Sequence, residues 1–337
     1  MNEPREPQPL SEGKLRWGVL ATGGIARTFT QDLLLHGHRV EAVGSRSRAA
    51  AEHFAESFAL PRAHGSYEEL VGDPDLDVIY VATPHNFHAA HAALALGEGK
   101  HVLVEKAFTL TAAQASETTA LAKKNGLLVM EAMWTRFLPH MEHVRSIVRS
   151  GRVGRVRSVH ADHTQRLTDD ENHRINNPHL AGGALLDLGI YPISFACDLL
   201  GQPVDVHAHA TFKATGVDAS VATIFRHQNG EVSTTYSSSE TRGSNTATVL
   251  GTEGRVEIGA TWYAPATVSF FDQHDNLVEE FDQPVTGRGM QYQAAEVERL
   301  LGEGKTASPL LTPEESVRIM ATMDRIRGTI GLRYPDE

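Results

Sequence analysis

Residues 103–110 read Leu-Val-Glu-Lys-Ala-Phe-Thr-Leu. The apolar run 101–104 has the length and character of a short buried strand, and the pair Glu105-Lys106 stops it abruptly. A helical pattern begins near Thr111. In an open parallel sheet, ligands lie in the crevice at the carboxyl ends of the strands, so Lys106 would stand at its mouth. A lysine there can hydrogen-bond a substrate oxygen and stabilise negative charge on it. Taken alone, the stretch fits equally a strand-end salt bridge whose charged head stays in water.

The chain on either side repeats the same strand–loop–helix unit. Residues 15–21 form a strand-like run that leads through Ala21-Thr22-Gly23-Gly24-Ile25-Ala26 into a helical pattern ending near Leu35. This is the context a dinucleotide fingerprint needs: glycines allow a tight turn and bring a pyrophosphate close to the helix N-terminus. Ala21 stands where the usual Gly-x-Gly-x-x-Gly/Ala pattern has its first glycine. The second strand, 40–43, ends at Gly44-Ser45-Arg46-Ser47. An acid at this distance would hold the ribose 2′-hydroxyl of NAD, and none is there. Arg46, flanked by serines, suits a 2′-phosphate, so NADP is expected ahead of NAD. The strand 77–82 ends in Thr83-Pro84-His85-Asn86-Phe87-His88 before a helical pattern at 89–96, and 127–130 ends in Glu131-Ala132-Met133-Trp134-Thr135-Arg136-Phe137. Five strands with intervening helices make a right-handed, doubly wound parallel sheet the economical architecture. Every loop at its carboxyl edge carries polar or aromatic residues.

The 337 residues are enough for two domains, and their composition is that of an ordinary globular protein. Lys and Arg number 31 against 42 Asp and Glu, a net −11, which argues against nucleic acid or an anionic membrane as the main partner. Cys197 is the only cysteine, so no intrachain disulfide forms, which fits a reducing cytoplasm; its apolar helical surroundings mark a buried inert thiol. No uninterrupted apolar run reaches membrane-spanning length. Residues 1–13, rich in Pro and Glu, lack an apolar core and read as a flexible tail, not a signal peptide.

From about Val156 the pattern shifts. A helical segment, 182–200, is followed by strand-like runs at 204–212, 221–226, 231–238, 246–250, 255–258, 267–271 and 277–281, with turns such as Gln228-Asn229-Gly230. That is a mostly antiparallel sheet. Helical patterns at 291–301 and 313–330 close the chain. The expected division is the tail 1–13, a Rossmann dinucleotide-binding domain 14–135 and an α+β domain 136–337. In the segment 183–191, Asp187 and Tyr191 are four apart and share one helix face. Asp187 has apolar neighbours, so it needs a cation or donors, and Lys106 is a candidate. A nearby ammonium would lower the tyrosine pKa and suit Tyr191 to general acid/base work. The bland alternative is an Asp187 that anchors the helix and a core Tyr191. The pairs His160/His163 and His207/His209 lack a recognised metal-ligand pattern, so no metal is expected. Ser237, Ser238 and Ser239 have no nucleophile elbow around them.

Together, Glu105-Lys106, the run 131–137, the run Ala181-Gly182-Gly183-Ala184-Leu185-Leu186-Asp187-Leu188-Gly189-Ile190-Tyr191 and the closing Ser308-Pro309 resemble the Gfo/Idh/MocA oxidoreductase family over about residues 14–334. The nearest branch is that of dimeric dihydrodiol dehydrogenase and NADP-dependent xylose dehydrogenase. The resemblance implies a Rossmann domain, then an α+β domain with a large open-faced sheet that commonly forms a homodimer interface. It implies Lys106 and Tyr191 as catalytic, with Asp187 accompanying them. It puts Thr22, Gly23, Gly24, Ile25, Ser45, Arg46, Thr83, Pro84, His88, Glu105 and Lys106 at the cofactor, and Trp134, Arg136, Phe137, Arg174 and Tyr191 at the substrate. The usual Glu-Lys-Pro is Glu-Lys-Ala here, which loosens the expected loop after Lys106. The activity implied is hydride transfer between NADP and a secondary alcohol or carbonyl of a sugar, polyol or trans-dihydrodiol, with Tyr191 taking the hydroxyl proton. The rivals are a non-catalytic NADP-binding regulator, disfavoured by the presence of Lys106, Asp187 and Tyr191 together, and an NAD-dependent glycosidase, disfavoured by Arg46.

Overall fold

The computed structural model describes residues 14–335, so the expected tail lies outside the described residues. Its first unit comprises residues up to Trp134 together with Gly287–Val317. In chain order come β1 (Arg16–Leu20), α1 (Gly24–Leu35), β2 (Arg39–Gly44), α2 (Arg48–Phe58), β3 (Arg62–His64), α3 (Tyr67–Val71), β4 (Val78–Val81), α4 (His88–Gly97), β5 (His101–Glu105), α5 (Ala112–Lys124) and β6 (Val129–Ala132). Among the described residues the sheet has six strands, all parallel, in the order β3-β2-β1-β4-β5-β6. β3 is the strand missing from the five expected. It is three half-exposed residues, Arg-Ala-His, and carries no apolar run. β4, β5 and β6 are buried at every position, as a parallel sheet covered on both faces requires. Behind β1 and β4, the fully buried rings of Phe29 and Tyr80 stack at 3.7 Å, with Trp17 edge-on to Phe29 at 5.7 Å. The strand order reverses between β1 and β4, which opens the crevice for a ligand.

The second unit comprises Thr135–Thr286 and the residues from Arg318 onward. It contains α6 (Pro139–Arg149), β7 (Val156–Thr164), α7 (Ile190–Leu200), β8 (Asp205–Phe212), β9 (Asp218–Arg226), β10 (Val232–Ser238), β11 (Ala247–Gly251), β12 (Gly254–Ile258), β13 (Val268–Asp272) and β14 (Leu277–Phe281). The sheet order is β14-β13-β12-β11-β7-β10-β9-β8. Every pairing is antiparallel except β7 with β10. β7 was not among the seven strands expected, because its sequence, VRSVHADHT, interleaves charge with apolar residues. It alternates accordingly, with Val159, Ala161 and His163 buried. On the opposite face Ile224 is 55% and Tyr236 39% exposed. The stretch Pro178–Leu200 is long and apolar enough to cross a membrane by length and composition, yet 94% of its apolar window is buried inside the protein, as in a core helix.

Two features differ from the sequence pattern. The segment 182–200 is not one regular helix: Leu185–Gly189 is wound as a wide π-type turn before α7 begins at Ile190. The buried Asp218 carboxylate accepts the Leu185 N–H at 2.6 Å and so fixes where that winding starts. Second, Gly287–Val317, which includes α8 (Gln291–Gly302) and the start of α9 (Pro313–Ile330), groups with the first unit, whereas the sequence pattern keeps all of 136–337 together. Asp32 on α1 accepts the backbone N–H of Arg288 at 3.0 Å and of Met290 at 2.9 Å, so it serves the start of α8. Glu298 on α8 receives the Trp17 indole N–H at 3.1 Å and contacts the His38 ring at 2.8 Å.

Candidate active site

In the first unit the turn from β1 to α1 is shaped for an approaching ligand. Gly23 and Gly24 both have ordinary backbone angles, and a Cβ on either would meet nothing within 4 Å. The open space beside these two glycines lies at a helix start with no side-chain cap, whose N–H groups suit a pyrophosphate. The demanding position is Ala21, at φ +99°, where a glycine would sit without strain. Its N–H still reaches the Gly44 carbonyl at 3.0 Å, so the turn closes despite the departure.

At the end of β2, Ser45 Oγ accepts the Ser47 N–H and Ser47 Oγ accepts the Ala50 N–H, each at 3.3 Å, capping α2. Arg46 between them is exposed. It hydrogen-bonds the Tyr67 phenol; burial raises that phenol's pKa while Arg46 opposes the rise. The Tyr67 ring stands edge-on to His91 at 4.7 Å, and His91 Nδ1 lies 3.0 Å from Thr83 Oγ1. Arg46, Tyr67, His91 and Thr83 thus form one group at the carboxyl ends of β2 and β4. Sequence reasoning missed Tyr67 and His91; Tyr67 opens the helix after β3, and β3 itself left no signal.

The loop after β5 is anchored by buried groups. Tyr80 donates its hydroxyl to Glu105 Oε1, and Glu105 Oε2 accepts the Lys106 N–H at 3.3 Å. The Lys106–Ala107 peptide is cis, and Ala107 and Phe108 are buried. Glu131 Oε1 accepts the Phe108 N–H at 3.1 Å, and its Oε2 accepts the Ser316 hydroxyl at 2.7 Å. The absence of proline at 107 therefore does not leave the loop loose. His88 lies under the same loop. The resemblance set its ring at the cofactor, but its two nitrogens face the carbonyls of Ala107 and Thr83, both at 2.8 Å. It is buried and ties two site loops together from within. Burial pulls its pKa down to about 4, against the two carbonyls that favour the charged ring.

In the second unit, Gly182 and Gly183 explain how Arg174 meets Asp187. A Cβ on Gly182 would lie 2.6 Å from the carbonyl oxygens of Arg174 and Ile175. Gly183 has φ +118°, and a Cβ there would collide with the Asp218 carboxylate. The pair lets the 174–177 loop close onto the helix start. Arg174 then contacts both Asp187 oxygens, Nη2 to Oδ2 at 3.3 Å and Nη1 to Oδ1 at 3.4 Å. Within its own unit, the cation beside Asp187 is Arg174, thirteen positions earlier in the chain, a pairing that helical spacing does not signal. Tyr191 is buried, with its ring edge-on to His163 at 4.8 Å and tilted to Tyr263 at 5.5 Å; His163 and Tyr263 stack at 3.6 Å. Tyr263 went unnoticed, although the dipeptide Trp262-Tyr263 in a loop was a visible aromatic signal.

The Trp-Thr-Arg-Phe run serves mostly to fasten the fold. Arg136, expected at the substrate, is 3% exposed; its guanidinium donates to Ser194 Oγ at 3.1 Å and Ser194 O at 2.8 Å and pairs with Asp198 at 3.2 Å. That is a core bridge to α7, at the residue expected to face the substrate. Thr135 donates to the Tyr263 carbonyl at 2.7 Å, so it supports the aromatic group. Trp134 is buried, with the Arg288 guanidinium 5.1 Å from its ring, and Phe137 is 8% exposed. Among the described residues no group of three or more His, Cys, Asp or Glu is arranged to hold a metal ion.

Comparison with known proteins shows the family. Residues 15–133 match the oxidoreductase family with an NAD-binding Rossmann fold, and 141–257 match the GFO/IDH/MocA C-terminal domain. Trans-1,2-dihydrobenzene-1,2-diol dehydrogenase of Bos taurus is 35% identical, the match covering 96% of this chain and 99% of the relative. D-xylose 1-dehydrogenase (NADP(+)) of Hypocrea jecorina is 36% identical, over 96% and 93%. Among solved structures, the aldose-aldose oxidoreductase from Caulobacter crescentus complexed with glycerol superposes with a TM-score of 0.85 at 25% identity, covering 94% of this chain and 97% of that one. KijD10, a 3-ketoreductase from Actinomadura kijaniata in complex with NADP and TDP-benzene, gives 0.83 at 27% identity, over 94% and 98%. With both halves matched and relatives at this identity along nearly its whole length, the chain belongs to the GFO/IDH/MocA oxidoreductase family.

Proposed function

We propose that the protein is an NADP-dependent oxidoreductase that transfers hydride between the nicotinamide and a secondary alcohol or carbonyl of a sugar, polyol or trans-dihydrodiol. The observation that carries this reading is the pairing of an open glycine turn at β1–α1 with a lysine fixed at the end of β5 in the same sheet edge. The relatives that act on xylose and dihydrobenzenediol support the substrate class. Arg46, where an acid would serve NAD, supports NADP.

Bound NADP supplies the hydride acceptor, and the protein supplies position and charge. The backbone at Thr22, Gly23, Gly24 and Ile25 takes the pyrophosphate, and Ser45 with Arg46 takes the 2′-phosphate. Thr83, Pro84 and Glu105, at the ends of β4 and β5, would help to hold the cofactor. Lys106 donates to the reacting oxygen and stabilises its negative charge. Tyr191 takes the hydroxyl proton in oxidation and returns it in reduction. Asp187, paired with Arg174, accompanies Tyr191 one turn earlier in the winding, and Arg174, half exposed, binds substrate hydroxyls. The aromatic rings of Trp134 in the first unit, and of Phe137 and Tyr263 in the second, are of the kind that suits a sugar face or an arene diol.

A homodimer through the eight-stranded sheet is part of the same proposal. Ile224, Tyr236, Val232 and Phe212 are large apolar residues left exposed on its strands, and light scattering would read the mass. A cytoplasmic location accords with the single, buried Cys197. The deciding experiment follows reduced-nicotinamide absorbance with NADP and then NAD, against aldoses, inositols and an arene dihydrodiol. NADP reduction with one of them is expected. Silence across the panel with NADPH still bound would point instead to a non-catalytic regulator. Cofactor that copurifies and never exchanges would point to a glycosidase.

A further inference from the structure

We infer that Glu131, seated by Ser316, is a positioning residue for Lys106. The inference rests on the reading of Lys106 as the group that binds the reacting oxygen. Glu131 does not reach that oxygen itself; it acts through the backbone of the loop. Backbone groups of three successive residues are each engaged by a buried side chain: the Lys106 N–H by Glu105, and the two ends of the 107–108 peptide, the Ala107 carbonyl by His88 and the Phe108 N–H by Glu131. Glu105 also takes the Tyr80 hydroxyl, and His88 also faces Thr83, so both are tied to β4 and its loop. Glu131 brings in β6 and, through the Ser316 hydroxyl, the first turns of α9. Glu131 is 2% and Ser316 1% exposed.

A carboxylate suits this place because its oxygens only accept, and here two donors converge, one on each oxygen. Hydrogen bonds to an ionised acceptor are shorter and stronger than neutral ones. Without Glu131 the Phe108 N–H is buried with its acceptor gone, and the backbone must move to recover one. Phe108 is two residues from Lys106, so that movement displaces the lysine. Glutamine separates position from charge. Its carbonyl oxygen can still accept from Phe108, and the Ser316 hydroxyl can rotate to accept from the amide nitrogen.

The test compares Glu131→Ala, Glu131→Gln and Ser316→Ala. For Glu131→Ala, kcat should fall about 10²-fold, the scale of a small misplacement of a reacting group, while KM for NADP stays within about threefold. Glu131→Gln should restore most of the loss. Hydrogen exchange at the Phe108 amide should be at least about tenfold faster in Glu131→Ala than in the parent. A wild-type kcat in Glu131→Ala would overturn the inference, and so would a Glu131→Gln enzyme as slow as the alanine variant. A merely structural residue would lower the melting temperature without separating kcat from KM. If Glu131→Ala does not fold, Ser316→Ala decides: faster Phe108 exchange with lower kcat and unchanged KM supports the role, and no change in either refutes it. Exchange is read without turnover. An enzyme silent on every substrate would therefore sink the oxidoreductase reading and leave this one to be settled by the amide.

Discussion

His101 opens β5, the strand that ends beside Lys106, and its Nδ1 accepts the Leu128 N–H at 3.0 Å. An accepting ring nitrogen carries no proton, so the ring is neutral with its hydrogen on Nε2. Burial pulls its pKa from 6.5 to about 4, with the Asp77 carboxylate opposing. The unfolded chain therefore takes up a proton that the folded chain resists. The stability this contributes is complete above pH 6.5 and is lost as pH falls towards 4. At roughly 1.36 kcal/mol per unit the whole shift is worth about 3 kcal/mol, and at about pH 5 some 2 kcal/mol of it is gone. His101→Asn keeps a side-chain acceptor for Leu128 and cannot titrate. Urea unfolding at about pH 7.5 and pH 5 should show the parent losing about 2 kcal/mol more than the variant between the two. His88 and His140 also have pKa values lowered to about 4, but they are present in both proteins and cancel in the difference. Equal losses in parent and variant would refute the reasoning, because the imidazole would then not be the neutral, buried acceptor described.

Ala21→Gly should relieve the φ of +99° and stabilise the protein by about 1 kcal/mol after the added freedom of the unfolded chain is subtracted, read as a rise in melting temperature. Arg46→Ala should raise KM for NADP about 30-fold and leave KM for NAD nearly unchanged, because only the phosphate loses its charged donor. Tyr191→Phe should slow kcat by about 10² or more while NADPH binds as before, checked by nucleotide fluorescence. Asp218 is the case of opposite sign: burial raises its pKa from 3.8 to about 6, so its contribution is complete below 3.8 and is lost as pH rises through 6. Asp218→Asn should therefore gain up to about 3 kcal/mol relative to the parent above pH 6, and parallel stability curves would contradict that.

The Rossmann half was legible because parallel strands covered on both faces read as continuous apolar runs; β4 and β5 are buried at every residue. What escaped had no such run. β3 is a polar three-residue edge, and β7 hides its alternation among Arg157, His160 and Asp162. The grouping of 287–317 with the first unit depends on Asp32 meeting amides some 256 positions away, and nothing local announces that contact. Motifs named candidate residues but did not apportion the work among them. The same Trp-Thr-Arg-Phe run that marks the family spends its arginine on Ser194 and Asp198, and His88 turns its ring to two carbonyls. A motif records which residues are present, while the role of each follows from which donors and acceptors remain after the fold is satisfied.

That accounting shows how the two units place their proposed reactive groups by one physical device. Neither Lys106 nor Tyr191 sits in the regular middle of an element: one follows a strand end, the other is the second residue of a helix that begins after a π-type turn. Ends are where backbone N–H groups lack partners, and a misplaced end moves everything attached to it. In the first unit buried Glu105 and Glu131 accept those N–H groups; in the second, buried Asp218 does. Burying a carboxylate is costly unless donors meet it, so each is stable only in the arrangement that also fixes the reactive side chain. Apolar packing tolerates small shifts, whereas a buried acceptor and its N–H lose their bond when displaced by an ångström. The precision a hydride-transfer site needs is thus stored in polar contacts beneath it, and substitutions at those positions should damage kcat before they damage cofactor binding.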